Sequence, residues 1–271
     1  MADSGVLLWR KPEGVTSHDV VARVRRGLPR GVKVGHAGTL DPFATGLLLV
    51  LLGRATRVQR YLMALPKTYR AVARLGATSD TGDRDGTITR TGRVPDRLEL
   101  PTGTFLQRPP AYSAVKVAGE RLYARARRGD PVEGEPRQVT VHRFEELWRE
   151  DDRVGVEVEC SAGTYVRQLV AAFGDAYCEE LERTAIGPFR LEDAHEERVV
   201  SLEEALAFLP GHELDDGDAR SASHGVSVAA PWSGAPSAGP PAGVRLMSDS
   251  RLIAIAEQRD GELKPVVVLA P

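Results

Sequence analysis

The sequence predicts an α+β fold with a small β-rich unit behind it. Three observations carry this. Residues 69–75, 139–142 and 154–160 alternate apolar with polar side chains or read as β-branched runs, as half-buried strands do. Residues 19–26 have helical spacing instead, and the two kinds of segment follow one another without a regular βαβ rhythm. Residues 251–256 and 265–269 read as strands of a separate unit, beyond a stretch at 229–243 dense in Pro, Gly, Ser and Ala. With 271 residues there is room for one large core and one small one. A boundary near Pro210 divides the chain into 1–208 and 209–271.

The elements follow in order. Val6-Leu7-Leu8-Trp9 reads as a strand and Lys11-Pro12-Glu13-Gly14 as a turn. Thr16-Ser17 caps a helix over 19–26. Residues 35–46, GHAGTLDPFATG, form a constrained loop, and the apolar run 47–52 after it fits a buried helix or strand equally well. Residues 78–86 form a polar loop. RLYARARR, at 121–128, reads as a basic helix.

Composition excludes some classes. Hydrophobic residues make up 42%, and no run reaches the roughly 20 apolar residues of a membrane helix, so no membrane role is expected. The opening MADSGVLLWRKPEG has no basic region before its apolar stretch and does not read as a signal peptide. The two cysteines, Cys160 and Cys178, lie outside any CxxC, which speaks against a zinc site or a disulfide framework and for a reducing cytoplasm. Net charge is -2, but it is unevenly spread. Residues 1–70 hold 12 Lys+Arg against 4 Asp+Glu, and residues 144–199 hold 6 against 15. A local basic face binds phosphates whatever the total charge.

Asp41 in the 35–46 loop has two readings. Held between Leu40 and Pro42, it suits a rigid, partly dry carboxylate acting as nucleophile or base. Asp-Pro is also a common turn starter, and on local sequence that reading is favoured. Two other stretches shift the balance: Lys67-Thr68-Tyr69, and CSAGTYVR at 160–167. As strand neighbours, Tyr165 and Arg167 would share a face. An arginine beside an aspartate keeps it ionised and oriented, and tyrosines stack on bases.

These blocks resemble the TruB family of bacterial tRNA pseudouridine synthases. The match covers GHAGTLDPFATGLLLVLLGRATR at 35–57, KPEGVTSHDVV at 11–21, KTYRAVARLGATSDTGDRDG at 67–86, QRPPAYSAVKVAGERLYARARRG at 107–129 and CSAGTYVR at 160–167. Five blocks in order are far more specific than any one. The chain departs from the family pattern at Arg10, Ala162 and Ala172.

The resemblance implies a pseudouridine synthase fold, with a mixed, mainly antiparallel central sheet flanked by helices, and a PUA-like C-terminal unit. It implies that Asp41 is catalytic and paired with Arg167. Tyr69 would stack on the target uracil, and Tyr165, Asp83 and Leu181 would complete the pocket, with Leu181 packing under the base. His36 would lie against the RNA where the uridine turns out. The reaction needs no metal or cofactor. The expected partner is the T-arm stem-loop of tRNA, modified at uridine 55 by a monomer without a protein partner. Lys11, Arg23, Arg25, Arg26 and Lys33 are expected at RNA phosphates. Two other functions compete: a tRNA-folding chaperone without isomerase activity, which an intact Asp41 speaks against, and a guide-dependent synthase, which the lack of long basic extensions speaks against.

Overall fold

In the computed structural model, the described residues are 4–113, 116–117, 120–122, 125, 128, 130, 132, 134–229 and 242–270. The chain opens with β1 (Gly5–Lys11), and a capping box closes the helix after it. The Thr16 hydroxyl accepts from the Asp19 backbone, and the Asp19 carboxylate accepts from the Thr16 backbone, at the start of α1 (Ser17–Arg26). Then come β2 (Val34–His36), β3 (Thr45–Leu52), α2 (Gln59–Ala64) and β4 (Lys67–Leu75). The polar loop is framed by the short pair β5 (Ala77–Ser79) and β6 (Ile88–Arg90). After β7 (Gly103–Gln107) come the two-residue pair β8 (Lys116–Val117) and β9 (Glu120–Arg121). They are followed by β10 (Arg137–Glu150), β11 (Arg153–Cys160), the short helix Val166–Ala171, β12 (Ala176–Ile186), β13 (Phe189–Arg190) and β14 (Val199–Val200). The basic helix expected over 121–128 and the Pro/Gly-rich stretch at 229–243 fall largely outside the described residues.

The main sheet runs β14-β1-β3-β12-β4-β11-β10-β7, with β2 beside β3 and β13 beside β12. Every pairing is antiparallel except β3 with β12. The run that periodicity left undecided is a strand, and burial on both faces explains why it does not alternate. Leu47, Leu49 and Leu51 face one core with α2, and Leu48, Val50 and Leu52 face another with Val20, Val21 and Val24 of α1. Each such leucine contributes about 2 kcal/mol relative to an exposed one.

One detail of this sheet places the site. β12 pairs with β3 only at Glu182↔Thr45 and Arg183↔Gly46, while β2 pairs with β3 at 50–52. The edge of β3 passes from one partner to the other, and the segment joining β2 to β3 is the GHAGTLDPFATG loop. Gly46 is required at this crossing. Its φ is +106°, and a Cβ there would stand 2.4 Å from the Arg183 carbonyl oxygen.

A second sheet is built from β15 (Gly211–Glu213), β16 (Val228–Ala229), β17 (Val244–Ser248), β18 (Arg251–Arg259) and β19 (Glu262–Val268), in the order β15-β17-β18-β19-β16. It has its own core around Leu246, Ala254 and Leu263, but Leu252, Ile255, Val267 and Leu269 pack into the core of β1, β3 and α2. Arg54 and Arg57 donate to the carbonyls of Leu269 and Val268 at 2.5 and 2.6 Å, and Arg60 pairs with Glu257 at 2.9 Å. No helix among the described residues is long and apolar enough to cross a membrane.

Candidate active site

Asp41 sits in a loop held from several directions. The Ser17 hydroxyl accepts from the Leu40 backbone at 2.9 Å and lies 3.3 Å from the Leu40 carbonyl. Gly14 N–H and the Lys11 ammonium both donate to the Pro42 carbonyl, at 2.9 and 3.2 Å. The loop does turn, with Ala44 N–H donating to Asp41 C=O at 3.2 Å. The turn reading of Asp-Pro is thus correct for the backbone, while the carboxylate faces Arg167.

That carboxylate meets Arg167. The Arg167 Nε stands 2.9 Å from Asp41 Oδ2, and Nη1 stands 3.1 Å from Asp83 Oδ2. The Nε–H is not aimed squarely at Asp41, so this contact is one of charge more than of a well-aligned hydrogen bond. Nη1 and Nη2 also donate to the carbonyls of Thr81 and Tyr112, at 2.6 and 2.9 Å. Asp83 Oδ1 accepts from the Thr81 hydroxyl and the Asp85 backbone. Arg167 is only 2% exposed, whereas 34% of the Asp41 side chain is open to solvent, enough for a substrate atom to reach it. Burial of the carboxylate among protein atoms pushes the Asp41 pKa above its ordinary value. The Arg167 charge opposes this, Asp83 adds to it, and Lys11 opposes it further.

The strand expectation for residues 165–167 is corrected. Tyr165 is the N-cap of the helix Val166–Ala171, and Arg167 lies in its first turn. Alternation was the wrong period, because Gln107 clamps the Tyr165 backbone on both sides and lets the chain turn into the helix. Its side-chain oxygen accepts from Tyr165 N–H at 2.8 Å, and its amide donates to Tyr165 C=O at 3.0 Å. Tyr69 lies in β4, and Leu181 opposite Ala71 in β12; both are buried in one cluster with Leu40 and Phe43. Burial raises the pKa of Tyr69, as it does that of Tyr165, so both phenols are neutral near pH 7. The Asp41 charge is felt at both. His36 ends β2 just before the loop, with its ring edge-on to His18 at 5.4 Å between centroids.

The phosphate-binding expectation for Lys11 is also corrected. Its side chain is buried, and its ammonium donates to the carbonyls of Pro12, Val15 and Pro42. A lysine at the end of a strand looks exposed in sequence, but here the strand end is covered by the Asp41 loop. Burial lowers its pKa to about 8. Arg23, Arg25, Arg26 and Lys33 are exposed on α1 and the turn after it. They do not join the Asp41 cluster. Arg23 pairs with Glu196 at 3.3 Å and covers Trp9, and Arg25 donates to Val34 C=O at 3.2 Å.

Sequence reasoning missed Ser17, Gln107, Thr81 and Arg183 as supports of the site, and missed β12 altogether. The alternation of Leu181 and Arg183 with Glu180, Glu182 and Thr184 was a readable strand signal. Among the described residues, no group of three or more His, Cys, Asp or Glu is placed to hold a metal ion.

Known proteins are similar in sequence and fold. A family model for the TruB family pseudouridylate synthase (N terminal domain) matches residues 25–166. A tRNA pseudouridine synthase B of Thermobifida fusca is 41% identical, covering 100% of this chain and 99% of that protein. One from Arthrobacter sp. (strain FB24) is 38% identical, covering 99% and 97%. Among solved structures, a Cbf5-Nop10-Gar1 complex is similar with a TM-score of 0.71 at 27% identity, over 98% of this chain and 84% of that one. An identity near 40% along essentially the whole length, on the fold and around the carboxylate described above, leaves one conclusion: the chain belongs to the TruB family of pseudouridylate synthases.

Proposed function

We propose that this chain converts uridine 55 in the T-arm loop of tRNA to pseudouridine, with Asp41 as the catalytic group. Membership of the TruB family makes it an RNA isomerase, and its bacterial relatives are tRNA pseudouridine synthases. The observation that carries the residue-level reading is the buried Arg167 guanidinium, shared by Asp41 and Asp83 at the edge of a cluster holding Tyr69 and Leu181.

The reaction breaks the N1–C1′ bond, turns the uracil, joins C5 to C1′ and moves the C5 proton to nitrogen, so nothing is gained or lost. Asp41 either attacks C1′ or takes a proton from C2′ on the way to a glycal. Either role needs an ionised carboxylate, and Arg167 supports that state against burial. The target base leaves its stack at a cost of a few kcal/mol, which Tyr69 above and Leu181 below offset by new stacking and apolar contact. Tyr165 and His36 line the approach. The exposed Arg23, Arg25, Arg26 and Lys33 meet phosphates, and residues 209–271 form a PUA-like unit that adds RNA contact. The enzyme works as a monomer in the cytoplasm.

Incubation with an unmodified tRNA transcript, followed by base-resolved mapping of pseudouridine, tests this. Pseudouridine at position 55 alone is expected. Tight tRNA binding without any pseudouridine would leave a chaperone in its place.

A further inference from the structure

Arg183 is buried at the centre of the molecule, and no step above uses it. It lies in β12, across the ladder from Tyr69 and beside Gly46 of β3. Its known partners are neutral. Nε donates to Leu47 C=O at 2.7 Å and Nη2 donates to Gly38 C=O at 3.1 Å, and Tyr69 is its cross-strand neighbour in the ladder. Two more buried cations are close by. Arg183 is among the causes that lower Lys11 to about 8 and Lys67 to about 7, after burial itself. Crowding a third cation among them is unfavourable, and an apolar side chain of similar volume would be easier to bury.

What the arginine supplies is direction. Its planar fork donates along fixed lines, which neither an apolar chain nor a lysine does. Gly38 and Leu47 flank the Asp41 turn on its two sides, so two of these lines pin both ends of the catalytic loop. Strand pairing sets the same arginine opposite Tyr69, the tyrosine on which the base would stack.

We propose that Arg183 is a positioning residue that holds Asp41 in register with a uracil stacked on Tyr69. The proposal rests on the functional reading above. It assigns Arg183 no contact with substrate. Binding of tRNA should therefore survive its loss while turnover does not.

The test compares Arg183→Lys, Tyr69→Phe and the double variant with the wild-type chain, using an unmodified tRNA transcript. Single-turnover rate, KM, tRNA affinity and Tm are measured for each. Arg183→Lys keeps the charge and loses the fork. Its kcat should fall roughly 10- to 100-fold, as expected for a displacement of about 1 Å at the reacting atoms. KM and tRNA affinity should stay within about threefold of wild type, the pattern of an interaction that matters only in the transition state. Tyr69→Phe alters the cross-strand neighbour of Arg183, so its loss and that of Arg183→Lys should be less than additive in the double variant. If Arg183→Lys does not fold, Arg183→Gln, which keeps amide donors without a charge to bury, takes its place under the same criteria. Wild-type kcat in the folded variant, strictly additive losses, or a fall in affinity that accounts for the whole effect would each overturn the proposal. A wild-type chain that makes no pseudouridine would instead overturn the functional reading.

Discussion

Two regions of the molecule use the same kind of ion pair to opposite effect. On the open face of β4 and β11, two arginines share one carboxylate: Arg70 Nε and Arg143 Nη2 lie 3.0 and 2.5 Å from Glu157. In the candidate active site one arginine serves two carboxylates, Asp41 and Asp83. Burial raises the Glu157 pKa, but hydrogen bonds from Arg70 and Arg143 outweigh it and hold the group below its ordinary range. At Asp41 the balance is reversed, with burial and a second carboxylate winning over one shared arginine. Two arginines on one carboxylate, with Arg143 held in turn by Glu145 at 2.8 Å, make a stable, inert lattice. Carboxylates in excess make a group held in a state it would relax from, which suits a reactive one. The difference lies in stoichiometry and solvent, since the side-chain types are the same.

Breaking the active-site half should have the largest effect. Asp41→Asn should abolish isomerisation and leave tRNA affinity nearly unchanged. Because the raised pKa means that the fold disfavours ionised Asp41, this variant should melt no lower than wild type at pH 7. Residual single-turnover activity above a trace, or a clear drop in Tm, would show that Asp41 is structural.

Arg167 comes next. Arg167→Ala leaves two carboxylates facing each other without a cation, at a cost of about 3 kcal/mol or more in stability. Arg167→Lys restores charge without the fork and should remain roughly 10- to 100-fold slower than wild type, the scale of a misplaced reacting group. Equal rates for Lys and Arg would reduce the site to simple charge neutralisation.

The pH profile sharpens the contrast further, because the two carboxylates differ in sign. The proposed mechanism requires ionised Asp41, so the acidic limb of kcat/KM should lie above the ordinary Asp value of about 3.9. Ionising Asp41 costs stability as pH rises through its raised pKa. Glu157 does the reverse: its contribution is present above the ordinary carboxylate range and is lost only as pH falls through its depressed pKa. Thermal melts of wild type and Glu157→Gln between pH 3 and 7 should converge at the acidic end. A kcat/KM limb at or below the ordinary Asp value would remove the claim of a raised Asp41.

Smaller effects are expected on the surface. Replacing Arg25 and Arg26 together by Ala should flatten the salt dependence of tRNA affinity by roughly 0.7 to 0.9 per lost phosphate contact. The modified position should not change, because phosphate contacts orient the RNA without reading bases. Filter binding across a salt series measures this, and unchanged slopes would take the pair off the RNA face. Glu157→Gln at neutral pH should be the smallest, about 0–1 kcal/mol in stability with no change in rate.

What the sequence determined by itself was local. The capping box at Thr16 and Asp19, the alternation of 69–75 and the tail strands at 251–256 and 265–269 depend on neighbours a few residues apart, and all are in place. The family resemblance named Asp41, Tyr69, Tyr165, Arg167, Asp83 and Leu181, but spacing offered no reason for them to meet. Only the tertiary structure decided that. It turned 165–167 into the start of a helix through Gln107, a residue 58 positions away. It buried Lys11 beneath a loop formed 31 residues later, and carried β12 across the sheet so that Arg183 lies between the Asp41 loop and Tyr69. A helix cap is chosen by bonds within one turn of chain. A buried charge is chosen by whatever the fold brings around it, and no window of sequence contains those partners.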